Sequence, residues 1–150
     1  MLAREIMTRE PVCCAPDDTI QFAARMMTEN DCGCLPVVEG SNGQCVIGVI
    51  TDRDIAVRAV GRGKPSATPV REVMTDCAFC CGADADVHEI EDMMSDCQVR
   101  RVVITDASGR CLGIVAQADL ALAAEQGEEV SDAEIGRVVE RISEPARGST

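Results

Sequence analysis

The chain has 150 residues, of which 46% are hydrophobic and 1% aromatic, and its formal net charge is −12 at pH 7. This hydrophobic content suffices for a folded core, so disorder does not describe the whole chain. An acidic surface repels phosphate backbones, and Phe22 and Phe79 alone give no platform on which bases could stack. These properties argue against a nucleic-acid partner.

The N-terminal segment, residues 1–7, lacks the apolar run of a secretory signal, and no stretch approaches the roughly 18 apolar residues of a membrane span. We therefore expect a cytoplasmic protein with no membrane partner. In a reducing compartment the ten cysteines are expected to be free thiols, metal ligands or redox sites.

The chain contains an internal repeat. Residues 4–8 recur as residues 71–75, a displacement of 67 positions from Arg4 to Arg71. Cys13-Cys14 matches Cys80-Cys81 at the same displacement, which falls to 65 when Asp54 is matched with Asp119. An insertion of two residues in the first copy explains the change, because turns tolerate insertions.

Each copy is predicted to fold as strand, helix, strand, strand, helix. In the first copy the elements are a strand at 12–14, a helix capped by Asp17 or Asp18, strands at 35–38 and 46–50 around a turn at 41–43, and a helix from Asp52. In the second copy they are a strand at 79–81, a helix capped by Asp84, strands at 102–105 and 112–115 around a turn at 107–109, and a helix from Ala118. In the helix that follows Asp84, Val87, Ile90 and Met94 share one face, which is expected to be buried.

The predicted domain boundaries follow from the repeat. Residues 1–60 form the first copy, 61–70 a Gly- and Pro-containing linker, 71–124 the second copy, and 125–150 an acidic C-terminal helix and tail. A capping box is predicted at 131–134, ahead of an amphipathic helix. A unit of about 60 residues buries little surface alone, so the two sheets are expected to pack on each other with pseudo-twofold symmetry and two related clefts. The fold class is therefore mixed α/β, of the α+β type.

Together these residues resemble the tandem CBS domain, or Bateman module, of small bacterial proteins. The resemblance covers about residues 4–124 and is carried by Ile6-Met7-Thr8 and Val73-Met74-Thr75, by residues 35–38, and above all by residues 48–54. It implies two βαββα repeats, a homodimer, and clefts that bind AMP, ADP, ATP or S-adenosylmethionine. It also implies regulation of an unidentified protein, with no catalysis and no required cofactor.

The resemblance also carries a motif, Gly-x-x-Thr/Ser-x-x-Asp, in which the Asp holds the ribose hydroxyls. The first copy matches it in full with Gly48, Thr51 and Asp54. The second keeps Gly113 and Asp119 but has Ala116 in place of the Thr, so we expect unequal clefts. Two vicinal hydroxyls can both donate to one carboxylate, and a helix start can receive phosphate. The spacing of Thr51 and Asp54 alone, however, favours a helix capping box, which needs no ligand.

Other candidate ligand contacts are less specific. Arg53 and Arg101 are candidates for phosphate, although a solvated salt bridge is the ordinary role of any single arginine. The resemblance places four residues near the base: Val12, Cys13, Pro36 and Val37.

The cysteines leave an alternative open, because Cys-rich strands can form a thiol-based metal or redox sensor. The spacings do not match a zinc framework, and adjacent strand residues face opposite ways, so at most one of Cys13 and Cys14 enters the core. A buried cysteine acting as a small apolar residue is favoured. A third hypothesis is a purely structural dimer whose clefts stay empty.

Overall fold

The computed structural model describes residues 1–40, 45–76, 80–125 and 132–143. In chain order the strands are β1 (Thr8–Arg9), β2 (Cys34–Glu39), β3 (Cys45–Thr51), β4 (Thr75–Asp76), β5 (Cys80–Gly82), β6 (Arg101–Thr105) and β7 (Cys111–Ala116). The α-helices are α1 (Ala3–Ile6), α2 (Ile20–Glu29), α3 (Asp52–Asp54), α4 (Val87–Cys97), α5 (Gln117–Glu125) and α6 (Asp132–Ser143). This confirms a mixed α+β fold.

The chain divides into two compact units, each built from both sequence copies. The first unit comprises Met1–Arg9, Phe79–Thr105 and Leu112–Thr150, and the second comprises Glu10–Ala78 and Asp106–Cys111. Strand β1, from the first copy, therefore pairs in the unit formed mainly by the second copy. Strand β4, from the second copy, pairs in the unit formed mainly by the first. The domain boundaries drawn from the repeat remain a prediction.

The first unit holds a four-stranded sheet in the order β1-β7-β6-β5. Strand β1 is antiparallel to β7, whereas β5 is parallel to β6. Its core includes the fully buried Val87, Ile90 and Met94, which confirms the predicted face of α4. Ile142 of α6 packs in the same core.

The second unit holds a three-stranded antiparallel sheet in the order β2-β3-β4. Leu35, Val37 and Ile50 are fully buried and form its core with the inner face of α2. Residues 106–111 join this unit, where the Val46 amide donates to the Gly109 carbonyl. The predicted turn at 41–43 lies outside the described residues.

Both predicted helix caps were wrong by two residues or less. Thr19 caps α2 by accepting a hydrogen bond from the Phe22 amide, and Asp86 caps α4 by accepting one from the His88 amide. Asp18 does not cap because its carboxylate accepts the Ala15 amide and closes the preceding turn. The capping rule identifies the residue class, and local turns decide which member is used.

The first strand predicted in each copy is also corrected. In the first copy only Cys14 bridges Val37, as an isolated parallel pair, because Pro16 and Pro36 have no backbone N–H with which to extend the ladder. In the second copy β5 is shifted to Cys80–Gly82. Phe79, which the prediction included, lies outside the described residues, as does Ser131 of the predicted cap for α6.

The helix after β3 differs from its counterpart in the second copy. Helix α3 continues as a π-helical segment, Ile55–Ala59, and then as a 3-10 turn, Val60–Arg62, that ends at Gly63 with φ of 71°. Helix α5 is regular. A π segment widens the backbone locally and often occurs beside functional residues. Within the described ranges no helix is both long and apolar enough to span a membrane.

Candidate functional site

The first copy's motif lies where β3 ends and α3 begins, in the second unit. Thr51 is the last residue of β3 and caps α3, since its hydroxyl accepts a hydrogen bond from the Asp54 amide at 3.0 Å. In return, the Asp54 carboxylate accepts the Thr51 amide at 3.1 Å through Oδ2. The two residues thus form the reciprocal capping box that their spacing predicted.

The Asp54 side chain does more than cap the helix. The residue is only 8% exposed, and an ionised carboxylate at that depth needs partners. The Thr75 hydroxyl lies 3.4 Å from each carboxylate oxygen, and Arg58 Nε lies 3.8 Å from Oδ1. Arg58 is itself held in place because Nη1 donates to the Met74 carbonyl at 3.2 Å.

The contacts that Oδ1 makes are longer than normal hydrogen bonds. Charge-assisted hydrogen bonds of this type are about 2.7–2.9 Å long, whereas Oδ1 meets Thr75 at 3.4 Å and Arg58 at 3.8 Å. A better-placed hydroxyl could therefore take their place without breaking the bond between Oδ2 and the Thr51 amide. The capping role and a ligand-binding role are compatible at one carboxylate.

Gly48, the first residue of the motif, allows β4 to reach the site. Strand β3 pairs with β4 through Gly48–Asp76 and Val49–Thr75, and a Cβ at Gly48 would lie 2.4 Å from the Thr75 carbonyl oxygen. Gly113 has the same role in the first unit, where a Cβ would lie 2.8 Å from the Thr8 carbonyl oxygen. The glycines are thus required by strand pairing.

The second copy's motif forms a simpler site in the first unit. The Asp119 carboxylate accepts the Ala116 amide at 2.7 Å, but Ala116 has no hydroxyl with which to return the bond. Ala123 occupies the position equivalent to Arg58 and is 3% exposed. The Asp119 site therefore lacks counterparts of the Thr51 hydroxyl and of the Arg58 guanidinium.

The environment of Asp119 predicts a pH effect on stability. Burial raises the pKa of Asp119 above 3.8, and the Ala116 amide only partly opposes this. Because the folded state binds this proton more tightly than the unfolded chain, the contribution of Asp119 to stability is greatest below its unfolded pKa and is lost as pH rises through the folded pKa. We expect urea unfolding to show Asp119→Asn gaining stability relative to the wild type as pH rises from the unfolded pKa of an aspartate, about 3.9, through the raised folded pKa.

Asp106 provides a control of opposite sign. Hydrogen bonding from Ser108 and Arg110 lowers the pKa of Asp106, so its contribution is present above its unfolded pKa and is lost as pH falls through the folded value. As pH rises from the folded pKa of Asp106 to its unfolded pKa, the wild type gains stability that Asp106→Asn, which has no carboxylate, does not gain. Asp106→Asn should therefore lose stability relative to the wild type over that pH range. A stability difference for Asp119→Asn that stays constant with pH would contradict the raised pKa.

Comparison with known proteins decides the family. The CBS domain family model matches residues 3–61 and 70–125, which together make up most of the chain. The protein belongs to the CBS domain family. The resemblance inferred from the repeated motifs is confirmed, and the two motif sites belong to a pair of CBS domains.

Two relatives of this CBS protein are proteins that align with it over most of both chains. The chain is 35% identical over 141 residues to the CBS domain-containing protein YhcV of Bacillus subtilis, covering 93% of this chain and 94% of the relative. It is 33% identical over 120 residues to Hypoxic response protein 1 of Mycobacterium tuberculosis, covering 79% and 82%.

Two solved structures share the fold. A crystal structure of Hypoxic Response Protein I with two coordinated zinc ions has a TM-score of 0.73 at 32% identity, covering 81% of this chain and 98% of that one. A CBS domain pair in complex with 5-methylthioadenosine and S-adenosyl-L-methionine has a TM-score of 0.74 at 25% identity, with coverage of 81% and 98%.

The structure distributes the nine predicted ligand-contact residues of this CBS pair between the two units. Asp119 and Arg101 lie in the first unit. The other seven lie in the second: Val12, Cys13, Pro36, Val37, Thr51, Arg53 and Asp54. Their roles in binding remain predictions.

The residues predicted to face a base are joined by backbone hydrogen bonds. Cys14 donates to the Pro36 carbonyl at 3.0 Å and accepts from the Val38 amide at 2.9 Å, which places Cys13 beside β2. Val37 is fully buried, and Val12 packs against the same core. The Val37 side chain is therefore a core group, and its main chain belongs to the pairing of β2 with β3.

Arginines around the CBS motifs have mixed roles. Arg53 is exposed, and Arg101 is half-buried at the start of β6. Arg71 pairs with Asp17, and Lys64 lies 3.7 Å from Glu72. The ordinary salt-bridge role therefore accounts for Arg71 and Lys64.

Sequence reasoning missed two residues of the Asp54 site. Thr75 had been noticed only as part of the repeated Met-Thr pair, and the β3–β4 pairing that brings it to Asp54 joins the two copies. Arg58 was not among the predicted ligand contacts. Its position four residues after Asp54 was the available signal, because such pairs are neighbours on a helix.

Most of the cysteines among the described residues form no disulfide. These are Cys13, Cys14, Cys32, Cys34, Cys45, Cys81, Cys97 and Cys111. Cys80 is disulfide-bonded, which corrects the expectation of free thiols at that position. Among the residues that the structure describes, no three His, Cys, Asp or Glu side chains form a group able to hold a metal.

Proposed function

We propose that this CBS pair is a regulatory module that senses an adenosine-type nucleotide at the Asp54 site. AMP, ADP and ATP are the first candidates, followed by NAD and S-adenosylmethionine. The observation that carries the proposal is the buried Asp54 carboxylate, whose Oδ1 is contacted by Thr75 at 3.4 Å and Arg58 at 3.8 Å. The module binds and signals, and it performs no catalysis.

The ribose is the part of the ligand that Asp54 recognises. Its 2′ and 3′ hydroxyls are both donors, and an ionised carboxylate is an acceptor at both oxygens. Without ligand, Thr75 and Arg58 contact the carboxylate. Their contacts are longer than normal charge-assisted hydrogen bonds, so shorter hydrogen bonds from the ribose hydroxyls can replace them. Arg58 is then released toward the phosphate side of the ligand, together with the exposed Arg53.

The base is held by the segment beside β2. Cys13 and Pro36 flank the bridge between Cys14 and Val37, where main-chain groups can read the edge of an adenine. Val12 and Val37 supply the apolar core beneath that segment. Small-molecule sites typically combine apolar walls with a few polar groups in this way.

A relative supports the choice of ligand class. The CBS domain pair solved with 5-methylthioadenosine and S-adenosyl-L-methionine has 25% identity with this chain, and both of those ligands contain adenosine. The second site, with Asp119 and Arg101, is proposed to bind the same class more weakly, because Ala116 and Ala123 provide neither a hydroxyl nor a guanidinium.

The signal is proposed to pass to another protein. Ligand binding shifts the population of conformers, and a homodimer would present the change to an unidentified regulated partner. The adenine nucleotide is thus the small-molecule partner, and no cofactor is required.

A thermal-shift screen tests the proposal with AMP, ADP, ATP, NAD and S-adenosylmethionine. A ligand that binds only the native state raises the melting temperature, by an amount that grows with its concentration relative to Kd. At least one of the five is expected to do so, and calorimetric titration then gives the stoichiometry. If none of the five changes the melting temperature or gives a heat of binding, the proposal fails and a structural role with unused sites takes its place.

A metal sensor is the second candidate. It is supported by the crystal structure of Hypoxic Response Protein I with two coordinated zinc ions, at 32% identity. Against it, the described residues of this chain group no three metal-ligating side chains. Elemental analysis of protein purified without chelator separates the metal sensor from the nucleotide sensor. Stoichiometric zinc would favour the metal sensor. Substoichiometric zinc together with a nucleotide-dependent melting temperature would favour the nucleotide sensor.

A further inference from the structure

The helices that follow the two motifs differ in charge. Residues 52–62, which comprise α3 and its continuation, contain three arginines at positions 53, 58 and 62 against two aspartates. Helix α5 contains no basic residue, and its charged side chains are those of Asp119 and Glu125. The Asp54 carboxylate therefore lies on a helix rich in cations, whereas the Asp119 carboxylate lies on an acidic helix.

Arg58 is both anchored and accessible beside Asp54. Its Nη1 donates to the Met74 carbonyl at 3.2 Å, and its Nε lies 3.8 Å from Asp54 Oδ1. The side chain is nevertheless 47% exposed, so a molecule bound at Asp54 can contact it. A guanidinium has five N–H donors, which these two contacts do not use up. Arg58 and the exposed Arg53 can therefore bind an anionic group that is attached to the ribose.

The corresponding positions on α5 are alanines. At the displacement of 65 positions that relates the two motifs, Arg53 aligns with Ala118 and Arg58 with Ala123. Ala118 is exposed and uncharged, and Ala123 is 3% exposed, so a guanidinium at its position would displace its neighbours. A phosphate bound near either alanine would have no counter-ion on α5.

Three other arginines whose side chains the structure describes in the first unit have partners outside the Asp119 motif. Arg4 forms an ion pair with Asp84, and Arg9 donates to the Arg4 carbonyl at 3.2 Å. Arg137 donates to the Ala133 carbonyl within α6 at 3.3 Å. These contacts give no counter-ion to a ligand at Asp119.

Arg100 and Arg101 lie at the strand side of the second motif. Arg100 contacts α5 through its backbone, since its carbonyl accepts the Gln117 amide at 3.0 Å while its side chain is exposed. Arg101 aligns with Pro36, which is proposed to lie beside the base in the first copy. The Arg101 guanidinium is therefore expected to meet the adenine, whose N7 is an acceptor, at the end of the ligand away from a phosphate.

The pKa of Asp119 agrees with this lack of cations. Burial raises the pKa of Asp119, and the group that opposes the rise is the Ala116 amide rather than an arginine. A neighbouring guanidinium would lower the pKa. A phosphate beside an ionised Asp119 with no counter-ion is repelled, because like charges a few ångströms apart disfavour each other. A neutral nucleoside avoids this repulsion.

We infer that the two sites divide adenosine compounds by charge: the Asp54 site takes nucleotides that carry a phosphate, and the Asp119 site takes adenosine derivatives that carry none. The inference rests on the proposed function, because both carboxylates must bind the ribose. One chain thereby senses a nucleotide and a nucleoside separately.

Calorimetric titration of the full-length protein with AMP and with adenosine tests the division, because these two ligands differ only in the phosphate. Asp119→Asn leaves the Asp54 site, which should bind AMP roughly 10-fold more tightly than adenosine. Asp54→Asn leaves the Asp119 site, which should bind adenosine more tightly than AMP. Each asparagine keeps an oxygen that can accept the amide at the helix start, so both variants are expected to fold.

Arg58→Gln separates recognition of the phosphate from recognition of the ribose. The variant should bind AMP roughly 10-fold more weakly than the wild type, because a charge-assisted contact is lost, while its affinity for adenosine at the same site changes by less than about twofold. Arg25→Gln, which removes an exposed arginine of α2 in the same unit, is the matched control and should leave the affinity for both ligands unchanged.

Three results would overturn the division while the proposed function stands. The first is tighter binding of AMP than of adenosine by Asp54→Asn, and the second is the absence of adenosine binding in that variant. The third is an equal loss of both ligands in Arg58→Gln, which would mean that Arg58 maintains the site and does not recognise the phosphate. If the wild type binds neither ligand nor any other adenosine compound, the proposed function itself fails, and the division fails with it.

Discussion

Asp54→Asn is expected to weaken binding of the adenosine ligand by roughly 10- to 100-fold, because the charge that strengthens the hydrogen bonds to the ribose is removed. A hydrogen bond to a charged group contributes about 1.5–3 kcal/mol, and about 1.4 kcal/mol corresponds to a tenfold change in Kd. Isothermal titration of wild type and variant with the ligand that gives the largest thermal shift measures the change. The asparagine keeps a side-chain oxygen that can still accept the Thr51 amide, so the helix cap is retained.

Asp119→Asn is the matched control, since it makes the same chemical change at the equivalent position of the second copy. The Asp119 site lacks counterparts of the Thr51 hydroxyl and Arg58, so its substitution should alter the tighter binding step by less than threefold in Kd, an effect of about 0.6 kcal/mol. Equal losses in both variants would show that the two sites act as one. An unchanged Kd in Asp54→Asn would remove Asp54 from the ribose contact.

The repeat made most of the fold predictable. Strands β2, β3, β6 and β7 and the helix face at Val87, Ile90 and Met94 follow from local hydrophobic patterns, and those patterns occur twice in register. The helix caps were misplaced because several candidate cap residues lie within three positions of one another. Sequence spacing does not show which of these residues forms a hydrogen bond in the preceding turn. Asp18 does so, by accepting the Ala15 amide, and it is therefore not the helix cap.

The candidate site was only half predictable. Thr51 and Asp54 are three residues apart, and their hydrogen bonds are local, so the spacing determined the geometry. Thr75 reaches Asp54 from 21 positions away through the pairing of β3 with β4. A short strand of two residues has no periodic pattern of its own, and nothing in its sequence indicated which sheet it would join.

The two thiols at the start of the first copy show the same limit. Alternation along an extended segment predicted that one of Cys13 and Cys14 would enter the core, and Cys14 does. Which of the two thiols is buried depends on the bridge between Cys14 and Val37 in β2, a contact between residues far apart in the sequence. The local alternation predicted that the two side chains separate, and tertiary structure decided which of them enters the core.

Gly48→Ala is expected to lower the free energy of unfolding by about 1–3 kcal/mol, the usual cost of forcing extra atoms into a packed site. A Cβ at Gly48 would lie 2.4 Å from the Thr75 carbonyl oxygen and 3.3 Å from its carbon. These are backbone atoms of β4, so the clash cannot be relieved by rotating a side chain. Urea unfolding followed by circular dichroism measures the loss.

Gly82→Ala is the matched control, since Gly82 also lies in a short strand, but among the described residues no atom lies within 4 Å of the added Cβ. Its stability should change by no more than about 0.5 kcal/mol, the usual range for a surface substitution. If Gly48→Ala relieves its clash by displacing β4, Thr75 moves away from Asp54, and nucleotide affinity should fall together with stability. Equal stability of the two variants would mean that β4 does not pair with β3 at Gly48, and the Asp54 site would then lose the strand that supplies Thr75.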